Sequence, residues 1–141
     1  MDIAALVTWV ITALGGFYLL GTWLSRGGAR GGNSHLPVPV IFGHFALAAI
    51  GLVLWIVYVI ADKEALAWTA FIVLVPVALL GFVMLARWVP VHRAHATAPA
   101  GAGQDVPAER HFPVAVVLTH GLFAVVTVVL VLLSALGVGG S

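Results

Sequence analysis

The chain has 141 residues, of which 62% are hydrophobic and 8% charged, with a formal net charge of +1. Soluble domains carry about 25% charged residues, so this composition, with a mean hydropathy of +1.16, excludes an ordinary water-soluble domain and points to the lipid bilayer. The small net charge leaves no electrostatic footprint for nucleic acid. Without cysteine there are no disulfides, thiolate metal sites, cysteine-bound haem or thiol catalysis.

Four uncharged runs follow in chain order, at residues 3–24, 36–61, 65–86 and 112–138. Each reaches the roughly 20 residues that a helix needs to cross about 30 Å of hydrocarbon. Continuous apolar runs of this length satisfy their backbone only as helices, not as barrel strands. The expected fold is therefore all-α: a polytopic bundle of four transmembrane helices forming one membrane domain over 1–141. Met1-Asp2 offers no basic region ahead of the first run, which reads as a retained span and not a secretion signal.

Between the first two runs, "SRGGARGGNS" is a Gly-rich turn carrying Arg26 and Arg30. Asp62-Lys63-Glu64 joins the second and third, and "ATAPAGAGQDVPAE" reads as an Ala/Pro/Gly linker before the fourth. Arg87, Arg93 and Arg110 follow the third run. The positive-inside rule then puts loops 25–36 and 87–112 in the cytoplasm and both termini outside, in a bacterial cytoplasmic membrane. Trp23 and Trp88 are expected in the inner aromatic belt, and Trp55, Tyr58 and Trp68 toward the outer one. No phosphate-binding Gly loop, HExxH, GxSxG or carboxylate pair lies within the spans. Pro76, in the middle of the third run, is expected to kink it and free the carbonyl of Ile72.

"HLPVPVIFGHF" at residue 35 and "HFPVAVVLTHG" at residue 111 share one pattern, which aligns His35 with His111, Pro37 with Pro113 and His44 with His120. "LLGTWLSR" and "LLGFVMLAR" echo each other at the ends of the first and third runs. These features predict a tandem two-helix repeat, units 3–61 and 65–138, inserted in parallel about a pseudo-twofold axis along the membrane normal. His44 and His120 then share one depth, about two turns beyond their prolines.

Small and weakly polar residues share the histidine faces: Gly43, Ala48 and Gly51 near His44, and Gly121, Ala124 and Thr127 near His120. Thr8, Thr12, Gly15, Leu19 and Thr22 form a matching stripe on the first helix. Small residues mark packed interiors in membranes, so both histidines are expected to face the core. An intramembrane ionisable side chain is a functional candidate. Two facing neutral imidazoles suit haem b held as a bis-histidine complex, its propionates met by Arg26, Arg30, Arg87, Arg93 or Arg110. Structural hydrogen bonding, or work with quinone, protons or another metal, remains open for the same pair.

"FGHFALAAIG" and "LTHGLFAVVT" resemble the histidine segments of four-helix b-type membrane cytochromes of the cytochrome b561 kind, in which facing histidines on alternate helices ligate haem. The resemblance implies His44 and His120 as axial ligands, and an electron-transfer protein working with menaquinone or a larger respiratory membrane complex. The outer half has no second histidine pair, so one haem is implied. Otherwise the chain would be a non-catalytic accessory subunit of such a complex.

His35 and His111 lie nine residues ahead of the deeper pair and half a turn out of phase, which fits interfacial caps. With a bent entry segment, all four histidines could form a Zn or Cu cluster. His92 and His95 make a lone HxxH in the linker.

Overall fold

The computed structural model describes residues 1–30, 32–97 and 106–138. Among these, four helices alternate in direction: α1 (Asp2–Ser25), α2 (Val38–Ala61), α3 (Glu64–Thr97) and α4 (Val114–Ala135), with one 3-10 turn at Ala108–His111 before α4. All four helices are long and apolar enough to cross a membrane. The fold is all-α.

Local chemistry sets the boundaries. Pro37 and Pro113 lead into α2 and α4 with nearly the same geometry, φ −66°, ψ 127° and φ −64°, ψ 126°. Proline fits there because its missing N–H costs nothing in the first turn. α1 closes on Gly27, whose φ of +79° lets its N–H reach Leu24 and that of Gly28 reach Trp23. Gly137, at φ +72°, closes α4 in the same way on Ser134 and Leu133. Both are Schellman ends, which need a left-handed residue. α3 runs on through Pro76 and Pro90 to Thr97, so residues 87–97, expected in the third connection, are helical.

α2 packs most closely along α3 and α1 along α4; the two pairs meet chiefly through α3 and α4, leaving α2 and α4 on a diagonal. Near the Asp62-Lys63 turn, Trp9, Trp55, Leu74 and Val131 interlock over Ala5, Ala67 and Ala70, whose small side chains let the backbones approach. Bulky apolar residues face outward around the bundle, Ile60 at 79% and Ile72 at 65% exposure among them.

At the other end, polar groups are buried beside a second apolar cluster that includes Leu36 and Ile41. Trp23 and Trp88, expected in a lipid-facing belt, are buried, and so is Trp55. The Trp23 indole donates to Ser34 Oγ (2.9 Å) and that of Trp88 to the Glu109 carbonyl (3.1 Å). Glu109, which falls in the stretch read as linker, is fully buried. Its carboxylate accepts from Ser34 Oγ (2.7 Å), the His35 backbone N–H (2.6 Å) and His35 Nδ1 (3.2 Å). A buried charge persists only when it is paired and hydrogen-bonded, and the two connections supply those partners by closing on each other. Removing the carboxylate takes the acceptor from the Ser34 hydroxyl and the His35 backbone N–H. Glu109→Ala is therefore expected to destabilise the fold by about 1–3 kcal/mol, read as earlier thermal unfolding in detergent, whereas Arg93→Ala, on an exposed residue, should leave it within about 0.5 kcal/mol.

Candidate functional site: a histidine pair across the bundle

His44 and His120 lie on the diagonal helices α2 and α4, each six residues inside its helix, about 9 Å along the axis. Their ring centres are 6.3 Å apart and their planes inclined at 59°. Both side chains are half-buried.

Each ring is tied to the helix packed beside its own. His44 Nδ1 lies 2.9 Å from the Val77 carbonyl of α3, and His120 Nδ1 lies 2.8 Å from the Thr12 carbonyl of α1. A carbonyl oxygen only accepts, so Nδ1 carries the proton in both rings and Nε2 keeps its lone pair. Such outer hydrogen bonds orient histidines that bind metals.

The reason these carbonyls can be reached is written one turn further on. Inside a helix, the carbonyl of residue i is already bonded to the N–H of residue i+4, and its second lone pair is free. Four residues after Thr12 stands Gly16, and four after Val77 stands Gly81. A Cβ on Gly16 would lie 3.1 Å from His120 Cε1, one on Gly81 3.4 Å from His44 Cε1, and one on Gly15 3.3 Å from His120 Cβ. Bare backbone at these points is the seat of each imidazole. Gly21, which the sequence echo sets against Gly81, meets nothing within 4 Å; the geometric counterpart of Gly81 is Gly16. Gly16 and Gly81 escaped the sequence reading because that echo is five residues out of step with the packing.

The other candidate residues lie at varying distance from the rings. Ala48 and Ala124 are half-buried on the histidine-bearing helices. Gly51 receives the Trp9 indole, 3.0 Å from where its Cβ would be. Thr127 is buried, its hydroxyl 3.0 Å from that of Thr8 and 2.7 Å from the Phe123 carbonyl. Gly43 only approaches Leu80, at 4.0 Å, and Gly121 is exposed with nothing within 4 Å. An open groove of about 270 Å³ between α1 and α4, lined by Ile11, Gly15 and Thr119 among others, reaches His120.

His35 and His111 are not brought to this pair. His35 turns to Glu109, and His111 Nδ1 meets the Ala108 carbonyl at 3.3 Å. Neither α2 nor α4 has a side-chain cap, so these residues do not serve as caps. Among the described residues no three of His, Cys, Asp and Glu converge as a metal site, so the four-histidine zinc or copper cluster is not assembled. His92 stacks on Trp88 at 5.0 Å within α3; the side chain of His95 and most of the linker lie outside the described residues. Arg26 and Arg30 are exposed in the first connection, and Arg110 is half-buried beside Glu109. Arg87 Nη1 donates to the His35 carbonyl at 3.3 Å.

A branched side chain on either seat must push an imidazole from its carbonyl. Gly16→Val and Gly81→Val are each expected to cost about 1–3 kcal/mol in thermal or denaturant unfolding. Gly121→Val should stay within about 0.5 kcal/mol. No protein family, curated protein or solved structure matches the chain.

Proposed function

We propose that the chain is a membrane b-type electron-transfer protein that holds one haem b between α2 and α4, with His44 and His120 as its axial ligands. The observation that carries this reading is the 6.3 Å separation of two rings whose Nδ1 atoms are both committed elsewhere. A ring nitrogen binds a transition metal at about 2.0–2.1 Å, and the ring centre lies about 1.2 Å behind it, so two imidazoles sharing a metal in line have centres roughly 6–6.5 Å apart. Two protein ligands suit haem, because the porphyrin supplies the other four nitrogens; a zinc site needs three or four from the protein.

The four apolar helices and the outward-facing Ile, Leu and Val side chains support insertion in a bacterial cytoplasmic membrane. Arg26, Arg30, Arg87 and Arg110 gather at the end where α2 and α4 begin, which becomes the cytoplasmic side with both termini outside. At that end the two carboxylates of the group would meet positive charge. A parallel tandem repeat is supported by paired environments: Ala5 and Ala70, Trp23 and Trp88, and Gly16 and Gly81 are each 65 positions apart, while His44 and His120 are 76 apart.

When bound, haem supplies one-electron chemistry. The protein's part is to hold both imidazoles as neutral Nδ1–H tautomers with Nε2 inward, through the carbonyls of Thr12 and Val77. Electrons would pass to or from menaquinone or a larger respiratory complex.

A second reading has its own support. The same Nδ1 bonds staple α2 to α3 and α4 to α1, which is a complete structural role for two half-buried histidines. The chain would then be an accessory subunit of a larger membrane assembly. Colour separates the two. Purified protein supplied with haem is expected to bind one equivalent, with a Soret band and a sharp reduced α-band. His44→Ala or His120→Ala should abolish the six-coordinate low-spin spectrum. A colourless, helical protein that takes up no haem would leave the accessory role.

A further inference from the structure

At the end of the bundle remote from the histidines, an open cavity of about 460 Å³ lies between the end of α2, the start of α3 and the end of α4. Its lining includes Tyr58, Asp62, Glu64, Ala67, Trp68 and Ser134. The cavity exists because the two halves of the bundle are filled differently. Beside α1, Asp2, Trp55 and Tyr58 close the matching space: the Trp55 indole donates to the Asp2 carbonyl at 3.2 Å, and the Tyr58 hydroxyl to Asp2 Oδ2 at 3.4 Å. The residue 65 positions after Asp2 is Ala67, and those 76 after Trp55 and Tyr58 are Val131 and Ser134. Each is smaller, and an opening remains.

What the opening would take follows from its walls. Asp62 and Glu64 are exposed at the rim, and among the described residues neither forms an ion pair. α2 and α4 both end here, and helix C-termini are the negative ends of their dipoles. Trp68 and Tyr58 add aromatic faces. Ser134 is 9% exposed, and its hydroxyl is buried without a hydrogen-bond partner. Thr8, Thr12 and Thr69, by contrast, bond back to carbonyls of their own helices. A buried hydroxyl without a protein partner is a group that a polar occupant or a water can satisfy.

We infer that this cavity binds an organic ammonium group, held by the carboxylates of Asp62 and Glu64, the faces of Trp68 and Tyr58, and the hydroxyl of Ser134. Carboxylates with aromatic walls are the chemistry that recognises such cations. A metal cation is disfavoured, because no three acidic or imidazole groups converge among the described residues. The group can arrive on an aminophospholipid, given the proposed membrane setting, or on a free amine.

The probes are phosphatidylethanolamine and free ethanolamine. The full chain is placed in nanodiscs of phosphatidylglycerol with phosphatidylethanolamine, and retained lipid is read by native mass spectrometry. The wild type should keep phosphatidylethanolamine, and Asp62→Asn/Glu64→Gln should hold it about tenfold less with unchanged helical circular dichroism; Ser134→Ala should also weaken it. If ethanolamine binds with the same sensitivity to these variants, the source is a free amine; if only the lipid does, it is the headgroup. Failure of the wild type to bind either amine, or equal binding by wild type and double variant, overturns the assignment. Haem content plays no part in this readout, so its outcome is separable from that of the cytochrome proposal.

Discussion

Two imidazole–carbonyl hydrogen bonds, His44 to Val77 and His120 to Thr12, tie α2 to α3 and α4 to α1 and fix two rings whose centres lie 6.3 Å apart. Their energetic weight is small, since interhelical hydrogen bonds inside membranes average about 0.6 kcal/mol. Their effect on geometry is large. Each bond fixes a tautomer and a ring direction at once, and a glycine one turn past the accepting carbonyl leaves the backbone bare beside the ring. Gly16 and Gly81 are thus as much a part of the histidine pair as the rings themselves. Packing holds the bundle together; these bonds decide what its centre presents.

The two ends of the bundle solve different problems. Where the helices meet the long connections, polar groups are buried but each is answered. Ser34 Oγ accepts from Trp23 and the Leu36 N–H and gives its own proton to Glu109, which in turn holds the His35 backbone. The network joins segments 75 residues apart in sequence, so neither connection can close without the other. At the opposite end the balance is incomplete. Asp2, Trp55 and Tyr58 fill one side, while Ala67, Val131 and Ser134 leave the other open with an unanswered hydroxyl.

By itself, the sequence determined the class of fold, the number of helices and the equal distance of His44 and His120 from the starts of their helices. Hydropathy and helix length are properties of single segments, so four apolar runs could be counted without knowing how they meet. The proline-led openings of α2 and α4 were legible for the same reason, being set by local backbone chemistry. Tertiary structure alone decided the partners. Which glycines seat the rings depends on helix register, and the Leu-Leu-Gly echo, five residues out of step with the packing, pointed to Gly21 where contact selects Gly16. Trp23 and Trp88 looked like interfacial aromatics because indole is at home there, yet each is buried with its N–H bonded to the connection that follows its own helix, to Ser34 and to the Glu109 carbonyl. Glu109 was hidden in an Ala/Pro/Gly stretch, for a carboxylate becomes buried only when donors from elsewhere in the chain converge on it, and no local pattern records that convergence.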